Sequence, residues 1–115
     1  MTLGQIVEKL SLAVVAVPEG LDREVTGGYA SDLLSCVMAR ARQGNLWITL
    51  QAHPNIVAVA SLLNLAGIVV TEGMTPNSET IEKAVSEKIP IMTTPLTTFT
   101  VVGRLAALGV QGVDE

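Results

Sequence analysis

Aromatic residues are scarce in this chain: one Trp, one Tyr and one Phe in 115 residues. Cysteine is scarcer still. Cys36 stands alone and cannot form an internal disulfide, and without a CxxC or Cys/His cluster no structural zinc site is expected. Basic residues form no run, for Arg23, Arg40, Arg42 and Arg104 are scattered and the formal net charge is -4. A nucleic-acid surface needs a cationic footprint, so that class of partner is set aside. Charged residues make up only 16% against 49% hydrophobic, which argues against disorder. The start "MTLGQIVEKLS" lacks the charged opening and long apolar core of a signal peptide. The apolar stretch from Ile56 to Val70 is interrupted by Ser61, Asn64 and Gly67, too polar to span a bilayer. A cytoplasmic protein is expected.

Several chemical signatures are also missing. There is no GxxxxGK[ST] to cradle a nucleotide for hydrolysis, no GxGxxG after a strand, and no GxSxG elbow. No acid/base pair, metal cluster or nucleophile with a base stands at local spacing, so neither an enzyme nor a metal or cofactor protein is expected.

What is present is a regular alternation. Leu3, Ile6, Val7 and Leu10 mark one face of a first helix, opened by a Thr2/Gln5 capping box. "LAVVAV", Leu12 to Val17, reads as a buried strand. A second helix carries Leu33, Leu34, Val37, Met38 and Ala41, with Ser31 or Asp32 as N-cap, and stops near Gly44-Asn45. Cys36 falls inside this apolar pattern as a small core residue. Then a unit repeats: strand Leu46–Gln51 and a helix from Pro54; strand Ile68–Glu72 and a helix from Pro76; strand Pro90–Thr94 and a helix from Pro95. Each proline is expected in a first helical turn, where its missing N–H costs nothing, with Thr75 and Thr94 as caps. Gly67 is placed as the C-terminal cap of the third helix and Gly109 after the fifth. The pattern predicts a single-domain α/β fold, a mostly parallel sheet with right-handed crossovers and flanking helices.

The third helix, "PNIVAVASLLNLA", is apolar nearly all round, and the mean hydropathy of +0.49 is high for a small domain. Both suggest that a second subunit covers part of the surface. The fourth helix carries a Glu79–Lys83 pair and is expected to face solvent. Trp47 and Phe99 are expected in the core or an interface.

In open parallel sheets ligands bind outside the carboxyl ends of strands. That rule points to a rim holding His53, Glu72, Thr71, Thr93 and Thr94. "LDREVTGGYASD", Leu21 to Asp32, is the least ordinary stretch. Val25 closes a short extended segment, and Gly27-Gly28 is read as a tight passage into the second helix. If the strands are parallel, Thr26, Gly27 and Gly28 join the same rim. Asp22 and Arg23 either pair locally or leave Arg23 to meet a phosphate. The candidate ligand residues are therefore Asp22, Arg23, Thr26, Gly27, Gly28, His53, Glu72, Thr93 and Thr94, with a phosphorylated small molecule as the ligand.

Asp22, Arg23, Thr26, Gly27 and Gly28, with "YASDLLSCVMARARQGNLWITLQAHPNIVAVASLLNLAGIVVTEG" after them and a terminal "TPL.TF...GRL" segment, resemble the DRTGG domain. The resemblance runs from about Thr2 to Gly109. It implies a compact α/β fold similar to the N-terminal domain of HPr kinase/phosphorylases. Relatives sit beside CBS domains in regulated pyrophosphatases and within some phosphotransacetylases; stand-alone copies resemble proteins encoded near iron hydrogenase and serine-kinase-like genes. It further implies a regulatory, dimer-forming role toward a separately encoded protein partner. Kinase activity does not carry over without a P-loop domain.

Overall fold

A computed structural model describes residues 1–114. Five strands form one sheet: β1 (Ala13–Ala16), β2 (Gly27–Ala30), β3 (Asn45–Thr49), β4 (Gly67–Val70) and β5 (Ile91–Thr93), in the order β1-β5-β4-β3-β2. β2 to β5 are mutually parallel, and β1 joins the edge antiparallel to β5. The α/β class and the mostly parallel sheet are as expected.

The inner strands β3 and β4 are buried at every position. That is why they read as continuous apolar runs: each face has its own core. On one face Trp47, Ile68, Val70 and Ile91 pack under α2 (Leu34–Arg40), α3 (Asn55–Leu63) and α4 (Ser78–Glu87). On the other, Leu46, Ile48, Val69 and Met92 pack under α1 (Leu3–Leu10) and α5 (Thr98–Ala107). Trp47 is fully buried and its indole N–H donates to the Ser31 carbonyl at 2.9 Å. α1 opens with the Thr2/Gln5 capping box in both its bonds.

Several expectations need correction. β1 is a bulged edge strand, not a buried one, and Val15 is 38% exposed. An all-valine-and-alanine run is equally compatible with a half-covered edge, since its two faces cannot be told apart by polarity. α2 is short, its N-cap is Leu33 without a side-chain bond, and Leu33 and Met38 are exposed. Ser31 instead accepts from the Leu33 amide, and Cys36 is half-buried rather than core. The C-cap of α3 is Asn64 in the left-handed region, and Gly67 opens β4. Pro76 and Pro95 precede their helices altogether. The caps are Asn77 and Thr97, each accepting a backbone N–H within the first turn, rather than Thr75 and Thr94. Pro54 comes closest to expectation, as the N-cap of α3. Glu79 and Lys83 form no ion pair; among the described residues the one ion pair joins the Met1 ammonium to Glu24 at 3.2 Å. Phe99 is 89% exposed and so is not a core residue.

Candidate functional site

The two halves of the expected site lie at opposite edges of the sheet. β2 is parallel to β3 with Gly27 opposite Asn45, so the signature stretch enters at the amino ends of the strands. His53, Glu72 and Thr94 follow the carboxyl ends of β3, β4 and β5, and Thr93 is the last residue of β5. A five-residue strand separates the two edges by about 13 Å at about 3.3 Å per residue. Arg23 and Thr26 therefore cannot share a small ligand with the rim, and the expected merging of the two groups does not occur. The glycines are not a turn into α2 either, for they begin strand β2.

At the amino edge the signature side chains hold other parts of the chain. Arg23 donates through Nη2 to the Lys88 carbonyl at 2.7 Å, with a longer contact from Nη1 to the Ala66 carbonyl at 3.5 Å. The Lys88 carbonyl lies at the carboxyl end of α4, where a cation complements the helix dipole, and Ala66 directly precedes β4. Asp22 is exposed and does not pair with Arg23. Thr26 Oγ1 donates to the Gln43 carbonyl at 2.8 Å and accepts from Asn45 Nδ2 at 3.2 Å. The Thr26 amide donates to the Gly44 carbonyl at 3.0 Å. Gly44 has φ +80°, and a Cβ there would come within 2.6 Å of the Thr26 side chain, so both conformation and space require glycine.

Gly27 and Gly28 bring the C-terminal segment onto β2. The Gly28 amide donates to the Gln111 carbonyl at 2.8 Å, and Gly28 bridges Gly112 in parallel register. A Cβ on Gly27 would stand 2.9 Å from the same Gln111 oxygen. The amides of Leu3 and Gly4 donate to the Arg23 and Leu21 carbonyls. One short segment thus ties together the start of α1, the end of α4, the entries to β3 and β4 and the residues after α5.

The carboxyl rim is also occupied by the chain itself. Glu72 has φ +63°, and its Oε2 accepts from the Thr98 amide at 2.8 Å, filling the anion position at the start of α5. Thr71 Oγ1 lies 2.7 Å from Thr98 Oγ1. Thr94 Oγ1 accepts from the Leu96 amide, and His53 Nδ1 accepts from the Asn55 amide at 3.1 Å. Thr93 is half-buried. Sequence reasoning missed Thr49 and the role of Asp32. Asp32 Oδ1 accepts from Thr49 Oγ1 and from the Leu50 amide, each at 2.8 Å. A buried threonine at a strand end, met in space by a carboxylate from the segment after the neighbouring strand, leaves no local spacing to read. No group of three His, Cys, Asp or Glu suited to a metal occurs among the described residues. No helix among them is long and apolar enough to cross a membrane.

The DRTGG domain model matches residues 5–108. The chain belongs to the DRTGG domain family. Its structure is similar to the crystal structure of the CBS and DRTGG domains of the regulatory region of Clostridium perfringens pyrophosphatase, complexed with the activator diadenosine tetraphosphate. The two share 26% identity with a TM-score of 0.74 over 98% of this chain, and this DRTGG chain spans about half of that one, 48%. No similar sequence was found among curated proteins. In that pyrophosphatase the DRTGG domain is part of the regulatory region, and the fold described above is similar to it. Thr26 and the two glycines, which look like a loop for gripping a ligand, are in this family member the joint between β2, β3 and the C-terminal segment.

Proposed function

We propose that this DRTGG domain is a non-catalytic regulatory and interaction module, homodimeric, acting on a separately encoded partner enzyme. The observation that carries this reading is the self-satisfaction of both edges. Arg23 and Thr26 are spent on backbone carbonyls, and Glu72 and Asp32 on backbone amides. The carboxylate–hydroxyl pair at the carboxyl edge, Asp32 with Thr49, joins a buried threonine to a carboxylate that also holds the Leu50 amide, an arrangement that ties the chain together. The similarity to a pyrophosphatase regulatory region supports control of an activity that resides outside these residues. Size-exclusion chromatography with light scattering is expected to give twice the 12.0 kDa chain mass. A clean monomer at micromolar concentration would overturn the dimer.

A second reading has one specific observation in its favour: the similar pyrophosphatase structure holds a dinucleotide activator. Here the domain is a sensor for a nucleotide or other phosphorylated metabolite at the carboxyl rim, using Thr93, Thr94 and His53. A phosphate at the start of α5 has to displace the Glu72 carboxylate from the Thr98 amide. Thermal melting with diadenosine tetraphosphate, adenine nucleotides, acetyl phosphate and inorganic phosphate separates the two readings. A ligand that binds the folded state raises its melting temperature. No shift across the panel at millimolar ligand removes the sensor.

A further inference from the structure

The sheet ends in two edges, and they are guarded differently. β1 carries a bulge between Val14 and Ala16 and runs into Pro18. Both devices keep a further strand away. β2 pairs without a register shift and reads Gly-Gly-Tyr-Ala, with neither proline nor charge. Its main-chain groups alternate in direction. The Ser31 amide donates inward to the Ile48 carbonyl at 3.2 Å, and the Gly28 amide donates outward to the Gln111 carbonyl. Ala30, two residues on from Gly28 and exposed, therefore turns its N–H and C=O outward as well. The C-terminal segment starts along this edge as a further strand would, with Gly112 opposite Gly28 in parallel register. It then leaves, for Val113 and Asp114 share a cleft with Arg40 and Arg42. Beyond Gly112 no described residue pairs with the outer side of β2.

Beside Ala30 a cavity of about 470 Å³ lies between β2, α5 and the C-terminal segment. The strand register explains it. Gly28 and Ala30 stand opposite Leu46 and Ile48, so they belong to the face under α5. On β3 that face is filled by large aliphatic side chains; on β2 it offers a hydrogen and a methyl group. Gly28 is not required by its own conformation, since its φ is not positive. A Cβ there would make only ordinary contact, 3.4 Å from Val110 Cγ1. Glycine inside a strand marks a place where a ligand or another backbone comes close. Ile48, Val102, Leu105, Ala106 and Val110 line the cavity, and none of its lining residues is charged.

We infer that the partner protein lays an extended segment along the outer edge of β2, where the chain's own Gln111-Gly112 leaves it. The segment pairs with the N–H and C=O of Ala30 and places one aliphatic side chain in the cavity. Main-chain bonds of this kind supply affinity, and a pocket beside the edge selects the side chain. A charged side chain would be buried there without a counter-charge, so the selected residue is apolar. The side of a helix cannot take this place, because its main-chain groups are already bonded internally.

The inference rests on the interaction reading above and names its site and the partner's chemistry. The probe is a blocked pentapeptide, Ser-Thr-Leu-Thr-Ser, compared with the same peptide carrying aspartate at its centre. Binding to the isotope-labelled chain is followed by NMR. The leucine peptide at millimolar concentration is expected to shift the Ala30 amide and the methyl groups of Ile48, Val102 and Val110, and the aspartate peptide is not. Ala30→Pro removes the outward N–H, and an edge strand tolerates proline there. Ala106→Phe fills the cavity from an exposed helix position. Each is expected to weaken the leucine peptide by about tenfold, with circular dichroism verifying the fold. Leucine and aspartate peptides that bind alike, a leucine peptide that leaves Ala30 unmoved, or binding indifferent to both variants overturns the site. An Ala30→Pro chain that loses its dimer in sedimentation equilibrium makes the occupant a second copy and overturns the partner segment. The light-scattering test of the dimer does not depend on the peptide, so failure here leaves the interaction module standing.

Discussion

Arg23 reaches 65 residues along the chain to donate a hydrogen bond to the Lys88 carbonyl at 2.7 Å. An arginine in a sequence signature invites a phosphate partner. Here its fork is turned toward the carbonyl end of α4 and the residue before β4, and it fastens α4 against the segment entering β2. Replacing it with alanine removes a charge-assisted bond, which costs about 1.5–3 kcal/mol in typical cases. Arg23→Ala is expected to lower stability by about 1–2 kcal/mol in urea denaturation, the lower figure reflecting the exposure of Lys88. An unchanged midpoint would remove Arg23 from the brace.

Thr26 donates to the Gln43 carbonyl and accepts from Asn45 Nδ2, so its hydroxyl serves in both directions. Thr26→Val keeps the shape and loses both bonds, and is expected to cost about 1 kcal/mol or somewhat more. Thr26→Ser retains the hydroxyl and should recover most of that loss. Equal stability of the two variants would show that the hydroxyl does not hold this joint.

Gly27 faces the Gln111 oxygen so closely that a methyl group cannot be added without moving the C-terminal segment. In Gly27→Ala the Gly28 amide is expected to lose its partner. Hydrogen exchange at Gly28 should then quicken by at least about tenfold, for a bond worth roughly 1.4 kcal/mol locally. Unaltered exchange at Gly28 would mean that the segment tolerates the methyl.

Glu72 combines a cap with an unfavourable backbone: its carboxylate bonds the Thr98 amide while its φ is +63°. Glu72→Ala loses the cap and keeps the strain. Glu72→Gly loses the cap and relieves the strain, worth about 1 kcal/mol in the left-handed region. The glycine variant is expected to melt above the alanine variant. The reverse order would show that the backbone at residue 72 is not strained.

Much of the architecture was legible because it is written in repeats. Strand, X-Pro, helix recurs from Leu46 to Leu108, and the apolar runs of β3 and β4 are long enough to require burial on both faces. The misreadings have local causes. Pro76 and Pro95 are followed by Asn77 and Thr97, and these cap the helices in place of the threonines before the prolines. Val14 and Val15 look the same on an edge as in a core. The candidate site divided for a different reason. Nothing around Arg23 reveals that its partners are Ala66 and Lys88, since both are backbone carbonyls and carry no side-chain signal. The direction of β2, which sends Gly27 to the amino edge, is set by its pairing with β3 and not by its own residues.

The central claim is that the signature stretch is a fastening and that any nucleotide acts elsewhere. Amide hydrogen exchange with and without millimolar diadenosine tetraphosphate tests it most directly. The Thr26 and Gly28 amides, bonded to Gly44 and Gln111, are expected to be strongly protected in the free domain and unchanged by the nucleotide. Fast exchange at both positions in the free domain, slowed only when the dinucleotide is added, would contradict the account and make the signature a ligand loop.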